Sequence, residues 1–398
     1  MPGELLIAAG PGEWRAAWVE DDEAVELYVE RGDTRPAGSI HLGRVVRLVP
    51  GLEAALVDIG DERPALLPLR DAPGVKPAEG ARMLVQVRRE AWADKAPLLT
   101  AKVSAGDHPA LDDRAPQLDP PAQLFPPPGF AAALALRLPG RPQRIRADDR
   151  AILGELRAAF PGVEVTPIAA LDWPLDLDAV FEAAVAPSLF LAGGGNVHIE
   201  ECRTATLIDV DTGIPDARSA ERAPVAVNRA AAALIGKQLR LRNIAGPIVV
   251  DFVGLDRRGA REGVRQALAA ALERDPANPQ LLGWTRLGHI EIVRPRRGRS
   301  LGDALFELDA GAARAKRAVT VAHEALRRLQ REARADPAAN WRLSVPQAVE
   351  AALRGPAARG LHALETRLGR RIAIVVASDR REGFDIAPVQ AHIAGHES

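Results

Sequence analysis

Two short segments of the sequence each end in an aspartate, and they are the part of the chain best suited to metal chemistry. The run Thr-Leu-Ile at 206–208 precedes Asp209, and the run Ile-Val-Val at 248–250 precedes Asp251. Both runs predict buried strands, and open sheets place their chemistry at strand ends. Aspartates from two strands that one helix separates can converge on one hard cation. Because Mg²⁺ takes oxygen ligands and is typically held by one or two carboxylates, we predict that this pair holds magnesium.

Other residue types along the chain offer weaker chemistry. Aspartates at strand ends are also common turn and capping residues, and this alternative stays open for the pair. No Lys-Ser/Thr follows the glycine triplet 193–195, so a hairpin turn is favoured over a phosphate-binding loop. Cys202 is interpreted as a packed thiol rather than a nucleophile. The histidines lack a partner at metal-ligand spacing and are interpreted as isolated side chains: His198, His289, His323 and His362.

The elements around the aspartate pair alternate between strand and helix, which predicts a mixed α/β layer. The predicted strands cover 197–200, 204–210, 247–253 and 284–293, and the predicted helices cover 227–242 and 259–273. In the first of these helices apolar residues recur at helical spacing, and Asn243 and Gly246 are suitable stop signals.

The N-terminal part of the chain predicts a hairpin followed by a small barrel. Strands at 4–8, 14–19 and 24–30 alternate around polar turns, and five more follow at 40–48, 53–59, 64–67, 82–89 and 97–102. Five short strands favour a closed barrel of OB type. Such barrels often bind single-stranded nucleic acid by stacking bases on aromatic side chains above a basic groove. Basic residues including Arg44 and Lys95 are present, but leucines occupy the expected platform: Leu56, Leu66 and Leu67. A barrel with a purely structural role remains an alternative.

Two further segments complete the chain. Residues 106–128 are rich in proline and acidic residues and predict a linker or an extended wrap. The tail from residue 313 repeats an α/β pattern, with a basic amphipathic helix at 316–334 and strands at 341–345, 371–377 and 383–387. This tail is expected to form a small separate domain.

Composition is typical of a globular protein of two or three domains. The net charge of −1 gives no sign of nucleic acid, although basic residues cluster from Arg294 to Arg331, either as a binding surface or as a solvated helix face. Cys202 is the only cysteine, which excludes an internal disulfide and a Cys-based zinc site and fits a reducing cytoplasm. No apolar run approaches the roughly 18–20 residues of a membrane span, and no signal segment is apparent, so we expect a cytoplasmic protein.

Long segments of the chain resemble, in the same order, the bacterial ribonuclease E/G family. The resemblance is carried by GSIHLGRVVRLVPGLEAALVDIGDERPALLPL (38–69), LDAVFEAAVAPSLFLAGGGNVHIEECRTATLIDVDTG (177–213), NRAAAALIGKQLRLRNIAGPIVVDFVGLD (228–256) and WTRLGHIEIVRPR (284–296).

The resemblance implies an α+β multidomain fold. An OB-type barrel is inserted into an RNase-H-like subdomain, and a DNase-I-like α/β subdomain carries the catalytic residues. The implied boundaries are an N-terminal hairpin at 1–37, the barrel at 38–105, a linker at 106–128, the rest of the RNase-H-like subdomain at 129–190, the catalytic subdomain at 191–300 and a small C-terminal domain at 301–398.

The implied activity is Mg²⁺-dependent endonucleolytic cleavage of single-stranded RNA in RNA processing or decay, leaving a 5′-phosphate and a 3′-hydroxyl. On this interpretation Asp209 and Asp251 hold the metal and act in catalysis together with Asp211. The residues expected to contact RNA are Arg44, Lys95, Arg242, Arg286 and Arg294. A catalytically weak or inactive RNA-binding protein of the same fold is the alternative.

The chain also departs from the family pattern. Asp211 stands where the family has asparagine, and Leu56 and Leu66 stand where it has phenylalanines. The Cys-x-x-Cys zinc-link is missing from 301–313, so no zinc and no zinc-linked dimer are expected, only a monomer or a different dimer. The proline-rich stretch 106–128 replaces the segment that senses a 5′-monophosphate. Cleavage is therefore expected not to depend on the 5′ end of the RNA.

Overall fold

The computed structural model of the chain divides into two compact units, Asp33–Arg137 and a second one made of Met1–Gly32 and Leu138–Ser398. The described residues are 3–31, 38–61, 63–89, 91, 96–103, 117–125, 129–135, 137–169, 172–213, 223–255, 258–296, 298–308, 314–377 and 383–389. The predicted contact residue Lys95 and most of the predicted linker lie outside these ranges. In the part of the chain so described, no helix is long and apolar enough to span a bilayer.

Three antiparallel strands open the chain, as the alternating sequence predicts. They are β1 (Glu4–Gly10), β2 (Glu13–Glu20) and β3 (Glu23–Arg31). Leu5, Leu6 and Ile7 of β1 are fully buried, so this strand lies in the centre of its sheet rather than at an edge.

The unit Asp33–Arg137 contains a closed five-stranded barrel. Its strands are β4 (Ile40–Val49), β5 (Ala54–Asp58), β6 (Ala65–Pro68), β7 (Arg82–Arg89) and β8 (Leu98–Thr100), with 3₁₀ turns at Pro50–Leu52 and Leu69–Asp71. The order is β5-β6-β8-β7-β4, and pairing of β4 with β5 closes the ring. Val57, Leu67, Val85 and Leu99 fill the interior without solvent exposure. This topology fits the predicted OB-type barrel.

A sixth strand of this unit was not predicted. Strand β9 (Ala122–Phe125) pairs with β4, although it lies inside the proline-rich stretch interpreted as a linker or an extended wrap. Helix α1 (Phe130–Ala135) follows it.

The first sheet is completed by elements that follow the barrel along the chain. These are β10 (Arg144–Ala147), a 3₁₀ turn at Arg150–Ile152, α2 (Leu153–Ala159), β11 (Glu164–Pro167) and α3 (Leu177–Ala183). Strand β1 pairs with β10 in parallel, which gives the order β11-β10-β1-β2-β3. Phe181 of α3 packs with Leu6 in the core beneath the sheet.

A six-stranded sheet carries the predicted aspartates. Its elements are β12 (Ser188–Phe190), β13 (Asn196–Glu201), β14 (Thr206–Asp211), α4 (Ala223–Leu241), β15 (Gly246–Asp251), α5 (Arg258–Leu272), β16 (Gln280–Trp284) and β17 (Ile290–Arg294). The strand order is β12-β13-β14-β15-β17-β16. Ile208 and Ile248 on one face of the sheet share a core with Ile235 of α4 and Leu268 of α5. The strand predicted at 284–293 is wrong, because Gly288, with φ of 94°, lies in a turn that divides it.

The C-terminal segment has a core of its own. It comprises α6 (Leu301–Leu305), β18 (Phe306–Leu308), β19 (Arg314–Lys316), α7 (Ala318–Ala335), β20 (Trp341–Val345), α8 (Gln347–Arg354), α9 (Ala358–Leu368), β21 (Ala373–Val376) and β22 (Asp385–Pro388). Strands β20, β21 and β22 form one sheet with β20 in the middle. A buried apolar core joins the helices to this sheet, and it includes Leu326, Leu329, Leu343 and Leu353.

A buried carboxylate ties helix α7 to strand β2. The Glu13 side chain has no solvent exposure and forms ion pairs with Arg15 at 3.0 Å, with Arg31 at 2.7 Å and with Arg327 of α7. Burial would raise the pKa of Glu13, but the three guanidinium charges outweigh it and hold the pKa well below its usual range. The carboxylate is therefore ionised and saturated with donors.

We expect Glu13→Gln to lower the free energy of unfolding by about 3–5 kcal/mol, because it leaves buried guanidinium groups without a counter-charge. The contribution of Glu13 is fully present above the ordinary carboxyl pKa of 4.5 and is lost progressively as pH falls from there towards the lowered pKa of the folded protein. Urea unfolding followed at pH 7 and at pH 4 should show the difference between wild type and variant shrinking in acid. The exposed Glu262→Gln is the matched control, and equal stability of both variants would contradict the assignment.

Candidate active site

The register of strands β14 and β15 places the two predicted aspartates side by side. The strands pair in parallel, and Asp209 is the direct Cα partner of Asp251. Neighbouring strands lie about 4.8 Å apart, and in-register residues project to the same face. Ile208 and Val250, each one residue earlier, point into the core, so both aspartates belong to the exposed face. The two carboxylates therefore share one small region of the open face.

The helices below the sheet hold this arrangement in place. Asn228 of α4 is fully buried, and its side chain donates to the Val253 carbonyl at 2.8 Å and accepts from the Val253 N–H at 3.1 Å. Both backbone polar groups of Val253, two residues after Asp251, are thus satisfied by one side chain. This bond fixes the end of β15 against α4, because an unpaired backbone group there would carry a desolvation penalty.

A row of polar side chains extends across the open face on both sides of the aspartate pair. Ser188 is the Cα partner of His198, and His198 is the partner of Asp209. On the other side, His289 Nε2 lies 3.6 Å from Asp251 Oδ2. The interpretation of His198 and His289 as isolated side chains is therefore wrong. Strand alternation places His198 on the exposed face of β13, but the sequence alone does not give its register against β14.

Asp211 accepts three hydrogen bonds near the pair. Its Oδ1 accepts from Asn196 Nδ2 at 3.0 Å and from the Gly213 N–H at 2.6 Å, and its Oδ2 lies 2.8 Å from His198 Nε2. The hydrogen bond from His198 is the main cause that lowers the pKa of the Asp211 carboxyl, and the bonds from Gly213 and Asn196 add to it. Asp211 is therefore ionised and held by neighbours.

The glycine triplet forms the hairpin turn between β12 and β13, the alternative that the sequence favoured. Gly195 has φ of 98°, and a Cβ at this position would lie 2.5 Å from the Asp211 carbonyl oxygen. The glycine thus permits the close approach of the turn to the end of β14. The role of Gly195 is therefore structural: it leaves room for the Asp211 carbonyl oxygen and adopts a backbone conformation that favours glycine.

Two of the arginines predicted to contact RNA are buried and bonded to other residues of the protein, so their prediction as RNA contacts is wrong. Arg242 is 4% exposed, its Nε donates to Gln238 Oε1 at 2.7 Å, and burial lowers its pKa to about 10. Arg294 is 3% exposed and forms two bonds with Asp275, at 2.6 and 3.2 Å. A guanidinium that is buried and already paired is not presented to a nucleic acid. Clustering of arginines in sequence therefore does not identify the exposed ones.

Arg286 and Arg44 are exposed, in contrast. Arg286 lies in the turn that joins β16 to β17, three residues before His289. Arg44 lies on β4, where its guanidinium is 3.5 Å from the carbonyl oxygens of Gly80 and Pro120.

One leucine of the expected platform on the barrel is misplaced. Leu67 is fully buried in the barrel interior, so its prediction as a platform residue is wrong. Leu56 and Leu66 are partly exposed and directly paired, and Leu56 also pairs with Arg47. Leu66 pairs in turn with Leu98. The outer face of the barrel thus carries a continuous row of three leucines with an arginine at one end.

The donor chemistry of the aspartate pair fits a hard cation. Within the described ranges, no group of three or more His, Cys, Asp or Glu side chains is arranged to hold a metal. Magnesium needs fewer protein ligands than that, because it keeps several of its waters and is commonly held by one or two carboxylates. The paired, exposed carboxylates of Asp209 and Asp251 meet this requirement.

Comparison with known proteins connects this site to enzymes of RNA. Residues 172–297, which include the whole aspartate region, match the model of the ribonuclease E/G family. The chain is 26% identical to ribonuclease E of Nostoc sp. strain PCC 7120, covering 76% of this chain and 57% of the relative. It is 24% identical to ribonuclease G of Escherichia coli K12, covering 97% of this chain and 99% of the relative. With ribonuclease G of Haemophilus influenzae the identity is 26%, and the match covers 82% of this chain and 87% of the relative. The chain thus spans little more than half of the Nostoc protein and nearly all of the Escherichia coli one.

Proposed function

Because residues 172–297 match the model of the ribonuclease E/G family, we propose that the chain is an endoribonuclease of this family that hydrolyses single-stranded RNA with the help of Mg²⁺. The observation that carries this proposal is the register of β14 and β15, which makes Asp209 and Asp251 direct neighbours on an exposed sheet face. The products are a 5′-phosphate and a 3′-hydroxyl, and the role is RNA processing or decay in the cytoplasm.

On this proposal some residues of the site bind the metal and others bind the substrate. Asp209 and Asp251 would hold the cation with one carboxylate each. When bound, Mg²⁺ supplies positive charge for the phosphoryl oxygens and lowers the pKa of a coordinated water. Arg286, exposed in the turn beside His289, binds a phosphate of the RNA backbone and aligns the strand. Asp211 keeps its conformation through Asn196, His198 and Gly213.

The barrel is proposed to bind the same class of substrate. Arg44 and Lys95 would contact phosphates, and Leu56 and Leu66 would support bases in place of the family's phenylalanines. An aliphatic side chain offers contact area but no stacking partner, so RNA should bind this surface weakly. On this proposal the six-stranded sheet is the DNase-I-like subdomain, and the sheet of β1, β2, β3, β10 and β11 belongs to the RNase-H-like one.

An RNA-binding protein with weak or no cleavage is the second candidate function. The observation that favours it is Asp211, a third carboxylate near the metal-binding pair where the family has an amide. Extra negative charge there can misplace the attacking water.

We expect Asp209→Asn and Asp251→Asn each to reduce RNA cleavage by about 100-fold or more, because each removes a charge that the transition state requires. The assay follows a fluorescent single-stranded RNA with Mg²⁺ or with EDTA, which should abolish cleavage by wild type. Glu291→Gln is the matched control, since Glu291 is an exposed carboxylate of the same sheet outside the polar row. Binding of RNA without cleavage by all proteins would select the second function.

Cleavage should not depend on the 5′ end of the RNA, because the proline-rich stretch 106–128 replaces the family's sensing segment. Two oligonucleotides that differ only in a 5′-hydroxyl or a 5′-monophosphate should be cut at equal rates. A strong preference for the monophosphate would contradict this proposal without affecting the assignment of the aspartate pair.

Leu66→Phe should increase the affinity for single-stranded RNA about fivefold or more, because base stacking on an aromatic contributes roughly 1–3 kcal/mol per base. Fluorescence anisotropy in EDTA measures binding without cleavage. Leu69→Phe adds an aromatic at another exposed position, 40% accessible and outside the leucine row, and should have no such effect. Equal gains from both variants would indicate nonspecific stickiness rather than a stacking platform.

A further inference from the structure

A chain of hydrogen bonds from Ser188 through His198 to Asp211 lies beside the aspartate pair. Ser188 Oγ lies 2.7 Å from His198 Nδ1, and His198 Nε2 lies 2.8 Å from Asp211 Oδ2. The side chains of His198 and Asp211 are 39% and 40% exposed, so this chain belongs to the working surface of the sheet.

The direction of the hydrogen bonds follows from the donors available. An ionised carboxylate only accepts, so His198 Nε2 must carry the hydrogen that points to Asp211. In the neutral ring Nδ1 is then an acceptor, and the Ser188 hydroxyl donates to it. Asp211 thereby fixes the tautomer of the imidazole, and Ser188, which bonds the other ring nitrogen, fixes its orientation.

The order of the strands shows towards which side of β14 the Asp211 carboxylate is held. Asn196 and His198 both belong to β13, which lies on one side of β14, whereas Asp251 belongs to β15 on the other side. The carboxylate of Asp211 is therefore drawn towards β13 and away from Asp251. Without these bonds it would be one more anionic ligand within reach of a cation between Asp209 and Asp251.

We propose that His198, oriented by Ser188, is a positioning residue that keeps Asp211 from ligating the metal, so that only Asp209 and Asp251 do so. This inference rests on the proposed function of the aspartate pair. It explains how a third carboxylate, Asp211, can stand beside two others that hold the metal alone.

The test measures metal binding and cleavage separately. Mn²⁺ binding by electron paramagnetic resonance reports the affinity of the site, and single-site RNA cleavage reports kcat and KM. In His198→Ala, Asp211 gains access to the cation, so Mn²⁺ should bind about tenfold more tightly, because affinity rises with the number of charged ligands. The kcat should fall about tenfold with KM changed less than twofold. Ser188→Ala, which leaves the imidazole in place, should shift both quantities in the same direction by a smaller factor.

The decisive comparison uses the Asp211→Asn background. There, adding His198→Ala should change neither Mn²⁺ affinity nor kcat by more than twofold, because the carboxylate that His198 restrains is gone. Glu291→Gln serves again as the surface control. The proposal is overturned if His198→Ala leaves Mn²⁺ affinity unchanged, if its effects persist without Asp211, or if wild type binds no Mn²⁺. Wild type that binds Mn²⁺ but does not cut RNA refutes the proposed function alone, and the affinity measurements then still decide on His198.

Discussion

The in-register pairing of strands β14 and β15 is the constraint on which the candidate site depends. Side chains alternate along a strand, so a slip of one residue would exchange the two sheet faces. If β14 slipped, Ile208 would reach water and Asp209 would enter the apolar layer under α4 and α5. A slip of β15 would do the same to Val250 and Asp251. An unpaired buried carboxylate costs far more than a lost methyl contact. The packing of the core thus fixes the position of the chemistry, although no core residue takes part in it.

The polar row on the open face follows from the same alternation. Helices cover one face of the six-stranded sheet, so every second residue of the central strands points to the other face. Because β13, β14 and β15 are in register, the exposed positions of neighbouring strands lie next to one another. Ser188, His198, Asp209 and Asp251 are brought into one line although 63 residues separate the first from the last in sequence. Such a surface can gather a metal, its hydrogen-bonded neighbours and an RNA backbone without a deep pocket.

The sequence predicted the elements better than their pairing. Apolar runs identified the strands of the barrel and the strands β13, β14 and β15 of the six-stranded sheet, because burial of alternating side chains leaves a local signal. The register of β13 against β14 is not local, and for that reason the role of His198 was missed. Arg294 was misjudged for a related reason: its partner Asp275 is distant in sequence, so only the fold shows that the guanidinium is buried. Strand β9 escaped notice because two prolines precede it, and its pairing with β4 overrides that local preference.

Two kinds of carboxylate in this molecule show how environment separates stability from function. Glu13 has no solvent exposure, and the guanidinium groups around it occupy its oxygens. Such a group holds elements together but has no lone pair to offer a ligand. Asp251 is 57% exposed, with His289 at 3.6 Å, so its oxygens stay hydrated and open to a cation. Asp211 lies between these extremes, since it is exposed yet bonded to three donors. The number of donors around each carboxylate, rather than its residue type, therefore determines whether it can hold a metal.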